Sequence, residues 1–126
     1  MRIICGKMTQ FNTVSRPQSS SSSIVWVDGR SMPDAEATIP VFDSAYLYGM
    51  GVFETMRAEA GSAVLLRLHF ERMKKNAQRV GIKFPFGQGY LMREIGRLLK
   101  TGHLSQATLR VILSERNAKP HLVIIA

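Results

Sequence analysis

Between Phe42 and Arg57 the chain reads FDSAYLYGMGVFETMR, and this stretch narrows the possible folds more than any other. It leaves an acidic turn at Asp43 and Ser44 and passes Tyr46 and Tyr48. It then crosses a Gly-x-Gly pair, Gly49 and Gly51, and enters a strand-like segment, Val52 to Ala58, with a charged side chain on each face. Successive strand side chains point to opposite faces. Phe53, Thr55 and Arg57 therefore share one face, and Val52, Glu54, Met56 and Ala58 share the other. Gly49 and Gly51 permit a tight turn or a close approach of backbone to a ligand. They are not a dinucleotide fingerprint, which follows a strand and opens a helix, whereas this pair precedes a strand.

The flanking segments supply the rest of a domain. Ile24 to Val27, the pair Asp28-Gly29, and Arg30 to Met32 read as a hairpin, because Asp-Gly suits the positive φ values of a type I′ turn. Val52 to Ala58 is a strand, and Ala63 to Arg67, beyond Gly61-Ser62, is its expected partner. Leu68 to Val80 reads as a helix closed by Gly81. Gln88 to Lys100 reads as a second helix, with Leu91, Ile95, Leu98 and Leu99 on one face. Thr108 to Leu113 and Leu122 to Ile125 are strands around a turn at Asn117 to Pro120. Strands, two helices, then strands imply an α+β fold, a mainly antiparallel sheet with both helices packed on one face.

That domain is expected to begin at Ile24. Before it, Pro17 and Gln18 lead into Ser19 to Ser23, five serines in a row, a stretch with too little apolar surface to offset its ordering entropy. Residues 1–23 thus read as a disordered leader, with Met8 an alternative start. The leader holds Arg2, Lys7 and Arg16 and no acid, a composition shared with organellar targeting peptides. The expected compartment is otherwise the cytoplasm. One cysteine, Cys5, cannot close an internal disulfide. With three scattered histidines it offers no metal-ligand spacing. No apolar run approaches the ~20 residues that span a bilayer.

The net charge of +8 is compatible with nucleic acid, but the basic residues are scattered. A phosphorylated cofactor or anionic substrate accounts for the excess equally well. A non-enzymatic basic α+β module that binds RNA or a protein partner is the competing class. The sequence gives it charge but no aromatic RNP-like strand and no GXXG loop.

Strand faces single out the candidate residues. Leu109, Val111 and Leu113 form the natural core face of the later strand, so Arg110 points away from the core with Thr108. Arg57 and Arg110 then stand on the open face of one sheet, where two guanidinium forks would make a carboxylate clamp; spacing alone favours two solvated surface arginines. Arg72 follows His69 by one helical turn, where guanidinium on phosphate is a strong charge-assisted contact. Spacing alone favours a solvent-facing arginine beside Lys74, Lys75 and Arg79, with His69 as a packing or capping residue.

The ordered set DG hairpin, FDSAYLYGMGVFET and HFERM (His69 to Met73) resembles the small domain of the fold-type IV pyridoxal-phosphate enzymes. These include branched-chain and D-amino-acid aminotransferases and aminodeoxychorismate lyase. The resemblance covers Ile24 to the end. It implies pyridoxal 5′-phosphate as cofactor, with Arg72 on its phosphate. It implies substrate-side roles for Tyr48, Phe53, Arg57 and Arg110, with Arg110 of TLRVIL on the substrate carboxylate. The implied substrates are an amino acid and keto acid, or aminodeoxychorismate, and the implied assembly is a homodimer. Phe53-Glu54-Thr55 is closer to the lyases and D-amino-acid enzymes; branched-chain enzymes usually have FEG.

Two departures stand out. SERNAKP, Ser114 to Pro120, replaces an Arg-Gly and a longer loop found in many relatives. The chain also ends at Ala126, about where an interdomain linker is expected, so the lysine-bearing second domain is expected to lie outside it. None of Lys7, Lys74, Lys75, Lys83, Lys100 and Lys119 matches the position of the Schiff-base lysine. No catalytic residue is therefore assigned, and this chain alone is expected to be inactive.

Overall fold

The computed structural model describes residues 23–126. The expected leader lies outside the described residues except for Ser23, whose carbonyl accepts a hydrogen bond from the Asp34 N–H at 3.1 Å.

Six strands form one sheet: β1 (Ile24–Val27), β2 (Arg30–Pro33), β3 (Val52–Glu59), β4 (Ser62–Ala63), β5 (Gln106–Arg116) and β6 (Lys119–Ile125). Their order across the sheet is β2-β1-β6-β5-β3-β4, and every pairing is antiparallel. Three α-helices accompany it: α1 (Ser44–Tyr48), α2 (Leu66–Arg79) and α3 (Gln88–Thr101). The expected antiparallel α+β architecture is therefore present, with a third, short helix added.

The alternation in β3 is complete: Val52, Glu54, Met56 and Ala58 are buried, and Phe53, Thr55, Arg57 and Glu59 are exposed. Leu109, Val111 and Leu113 of β5 face the same core. The stripe Leu66, Phe70, Met73 and Ala77 of α2 and the stripe Leu91, Ile95, Leu98 and Leu99 of α3 close over it. Burial of such stripes, at roughly 25 cal/mol per Å² of apolar surface, is what holds the helices on the sheet. Trp26 of β1 is buried and donates its indole N–H to the buried carboxylate of Glu94 at 3.1 Å, and Arg97 neutralises that carboxylate at 3.0 Å. Phe84 and Phe86, flanking Pro85, pack in a chain from Phe70 to Tyr90. They are spent on packing and offer no stacking platform for bases.

Three expectations are corrected. The partner strand placed at Ala63 to Arg67 stops after Ala63. Leu65 adopts φ 54°, which breaks the extended run, and α2 starts at Leu66 because Leu66 belongs to its buried stripe. The turn placed at Asn117 to Pro120 is shorter. Asn117 and Ala118 both take positive φ, 49° and 59°, giving a two-residue hairpin that lets β5 run to Arg116 and β6 begin at Lys119. The acidic turn at Asp43 and Ser44 is in fact the start of α1.

Candidate functional site

The segment before β3 is built by two polar residues and two glycines. The Asp43 carboxylate caps α1 by accepting from the N–H groups of Ala45 (2.9 Å) and Tyr46 (3.2 Å). Its other oxygen accepts from the Ser114 hydroxyl on β5 at 2.5 Å. The Ser44 hydroxyl donates to the Met50 carbonyl at 2.7 Å and accepts from the Glu115 N–H at 2.9 Å. Gly49, at φ 66°, ends α1 in the left-handed conformation. A Cβ at Gly51 would lie 2.8 Å from the Ala45 Cβ and 3.2 Å from the Leu113 carbonyl oxygen. Both glycines thus answer the chain's own geometry, one a turn and one a close approach to α1. Tyr48, at the last position of α1, is exposed.

β3 carries two sets of side chains back to back. On the open side Phe53 is exposed, and the Arg110 guanidinium lies 4.3 Å from its ring centroid, a cation–π stack. Thr55 pairs directly with Arg110 and Thr108 with Arg57, so the two arginines are diagonal neighbours on adjacent strands, within reach of one another. Arg57 also pairs with Glu59 at 2.9 Å, both side chains being largely exposed.

On the helix side Glu54 is only 3% exposed. A carboxylate there needs charged partners. Arg72 of α2 donates Nε–H to one oxygen at 2.7 Å and Nη2–H to the other at 2.5 Å. His69, one turn earlier, places Nδ1 2.8 Å from the same carboxylate. Arg72 holds the Glu54 carboxyl below its ordinary value of 4.5, burial opposes this, and His69 adds to the lowering. Glu54 in turn raises the pKa of Arg72. Because Glu54 is ionised, His69 donates from Nδ1, and the 3.3 Å approach of Arg72 Nη2 to that nitrogen is a contact between two donors. The Arg72 side chain is 62% exposed, and its Nη1 has no hydrogen-bond partner among the described residues. Sequence reasoning placed Glu54 on the core face but missed its role; the hint was an acidic residue alone in an apolar stripe.

Of the candidates, the structure brings Phe53, Arg57 and Arg110 together on one face. It puts Arg72 on the other face and Tyr48 at the end of α1. The two sets lie back to back across β3, where Phe53 and Glu54 are consecutive. Lys74, Lys75, Lys83, Lys100 and Lys119 are all exposed, and Lys7 lies outside the described residues. Among the described residues no group of three or more His, Cys, Asp or Glu side chains is arranged to hold a metal. No helix among them is long and apolar enough to cross a membrane.

Comparison with known proteins identifies the fold and the family. The amino-transferase class IV family matches residues 51–125, and the chain belongs to that family. It is 32% identical over 91 residues to the aminodeoxychorismate lyase of Bacillus subtilis, covering 72% of this chain and 31% of that protein. It is 27% identical over 96 residues to a D-alanine aminotransferase of Staphylococcus epidermidis, covering 76% of this chain and 34% of that one. The chain therefore spans about a third of the length of these curated relatives. In fold it is similar to the branched-chain aminotransferase of Thermoproteus uzoniensis solved with norvaline. The TM-score is 0.73 at 23% identity, covering 83% of this chain and 40% of that one. A hypothetical aminotransferase of Mycobacterium tuberculosis in its PLP-bound form gives 0.71 at 22%, covering 82% and 39%. The reading as a separate basic RNA- or protein-binding module finds no support.

Proposed function

We propose that this domain is the phosphate-anchoring and substrate-facing part of a pyridoxal-phosphate-dependent aminotransferase or lyase acting on amino acids and keto acids, or on aminodeoxychorismate. The observation that carries this reading is Arg72. Within a class IV aminotransferase domain, its Nε and Nη2 are engaged by buried Glu54, while Nη1, on a side chain that is mostly exposed, is left to meet an anion. That donor set fits the phosphate of pyridoxal phosphate. When bound, the cofactor supplies the electron sink for bond breaking at the substrate carbon. The chain's own residues bind and orient: Arg72 takes the phosphate, and Arg110, steadied on Phe53, takes a substrate carboxylate with Arg57. Phe53 and Tyr48 wall the pocket.

Expected outcome: in the intact enzyme, Arg72→Ala weakens cofactor retention about ten- to a hundredfold, the scale for losing a charged hydrogen-bonded contact. An unchanged dissociation constant for the cofactor would refute the assignment.

A homodimer belongs to the same reading. Val41, Phe42, Tyr46, Tyr48, Met50 and Phe53 are all exposed, an apolar surface of the kind that monomers rarely leave uncovered. The chain is therefore expected to self-associate, more so as salt screens its positive charge. Sedimentation across a salt series checks this, and a monomer at every concentration and salt counts against it.

A further inference from the structure

Glu54 is the one acidic side chain on the buried face of β3, among Val52, Met56 and Ala58. An apolar residue would fill that place without the cost of removing a charge from water, and buried ion pairs seldom improve stability over apolar packing. The pairing is also asymmetric. Glu54 is almost fully buried while Arg72 remains 62% exposed, so the carboxylate is sunk into the core and grips the arginine from beneath. The grip is two-pronged, Nε to one oxygen and Nη2 to the other, which fixes the plane of the guanidinium as well as its position. His69 occupies the same carboxylate from one turn earlier on α2, and so limits the ways Glu54 can rotate.

We infer that Glu54 is a positioning residue: it holds the Arg72 guanidinium edge-on so that Nη1 faces outward, ready for a phosphate monoester. This rests on the reading of Arg72 as the phosphate anchor and adds to it. Long arginine side chains sample many rotamers, and ordering one only at the moment of binding weakens affinity. Here the ordering is already complete. The phosphate then meets a fixed donor, and the Glu54 charge is already satisfied by Nε and Nη2, so it does not compete for Nη1.

The test uses the full chain and a ligand pair that differs only in the phosphate: 4′-deoxypyridoxine 5′-phosphate and 4′-deoxypyridoxine. Neither has an aldehyde, so neither reacts with the exposed lysines. Affinities are measured by titration calorimetry, while the Arg72 Nε–H resonance is followed by NMR. In the wild-type chain the phosphorylated ligand is expected to bind more tightly and to shift the Arg72 resonance. Glu54→Gln should reduce the preference for the phosphorylated ligand about three- to tenfold, the scale of one hydrogen bond, and return the Arg72 Nε–H to fast solvent exchange. General damage to the fold would weaken both ligands alike and leave their ratio unchanged, which overturns the proposal. Arg72→Lys keeps the charge but loses the fork, sits on an exposed helix surface, and should reproduce the lost preference even if Glu54→Gln fails to fold. If the wild-type chain shows no preference and no Arg72 shift, the phosphate-anchor reading fails and this proposal with it. If Arg72→Lys loses the preference but Glu54→Gln keeps both the preference and the slow exchange, only the positioning role of Glu54 falls.

Discussion

The two faces of β3 hold their charges in opposite ways. Beneath α2, Glu54 is buried and gathers Arg72 and His69 into one network before any ligand arrives. On the open face Arg57 and Arg110 are exposed, one against Glu59 and the other stacked on Phe53. A charge on the core side must be answered from within the protein. Charges on the solvent side need no internal answer, and there the protein keeps arginines available. One strand thus carries a preset donor on one face and adaptable donors on the other.

The sharpest way to test this contrast lies in β5, where consecutive residues face opposite ways. Leu109 is fully buried and Arg110 exposed. Leu109→Ala is expected to cost about 2–5 kcal/mol of stability, since a cavity opens in the core. Urea denaturation measures it, and a cost below about 1 kcal/mol would mean that this face is not the core.

An intermediate effect is expected from Glu54 and its pH dependence. Its folded-state pKa is depressed by Arg72 and His69. The unfolded chain therefore binds the proton more readily, and Glu54 stabilises the fold fully above its ordinary value of 4.5. That contribution is lost as pH falls through the lower folded-state value. Glu54→Gln should flatten the acid limb of a stability–pH curve below about pH 4.5 and change little of its shape near neutrality. An acid limb identical to wild type would show that the carboxylate is not engaged as described.

The smallest effects on stability belong to the open face. Arg57→Ala should shift stability by no more than about 0.5 kcal/mol, because its ion pair with Glu59 is exposed. Arg110→Ala, which also loses the stack on Phe53, should cost at most about 1 kcal/mol. In the intact enzyme each should raise the Michaelis constant for a carboxylate substrate. A large fall in melting temperature with unchanged kinetics would move these arginines from binding to structure.

Much of this frame was legible because it obeys simple periods. Alternation along β3 put Glu54 with Met56 and Phe53 with Arg57, and the stripe Leu91, Ile95, Leu98 and Leu99 marked α3. Three features escaped local reasoning. α1 is only five residues long, too short for a helical period, although Asp43 and Gly49 are its cap signals. Leu65 takes a left-handed conformation that no local pattern announces, so the sequence pattern extends the strand to Arg67. Asn117-Ala118 makes a tight hairpin without the glycine that usually marks one. The Glu54–Arg72 pair spans 18 residues and two elements; periodicity supplied the faces but not the partner. The family resemblance supplied the expectation for Arg72, and only the packed structure supplied Glu54.

The latch formed by Asp43 and Ser44 has a dynamic consequence. α1 buries none of its own residues, so little apolar contact resists its departure. Asp43 and Ser44 together tie Ala45, Tyr46 and Met50 to Ser114 and Glu115. Polar ties that share two neighbouring side chains let go together. The amides of this segment should therefore exchange with solvent as a single cooperative group, at an opening free energy below that of the sheet. Tyr48 rides on that segment, so how long it stays in place is governed by two small polar residues at the other end of its helix.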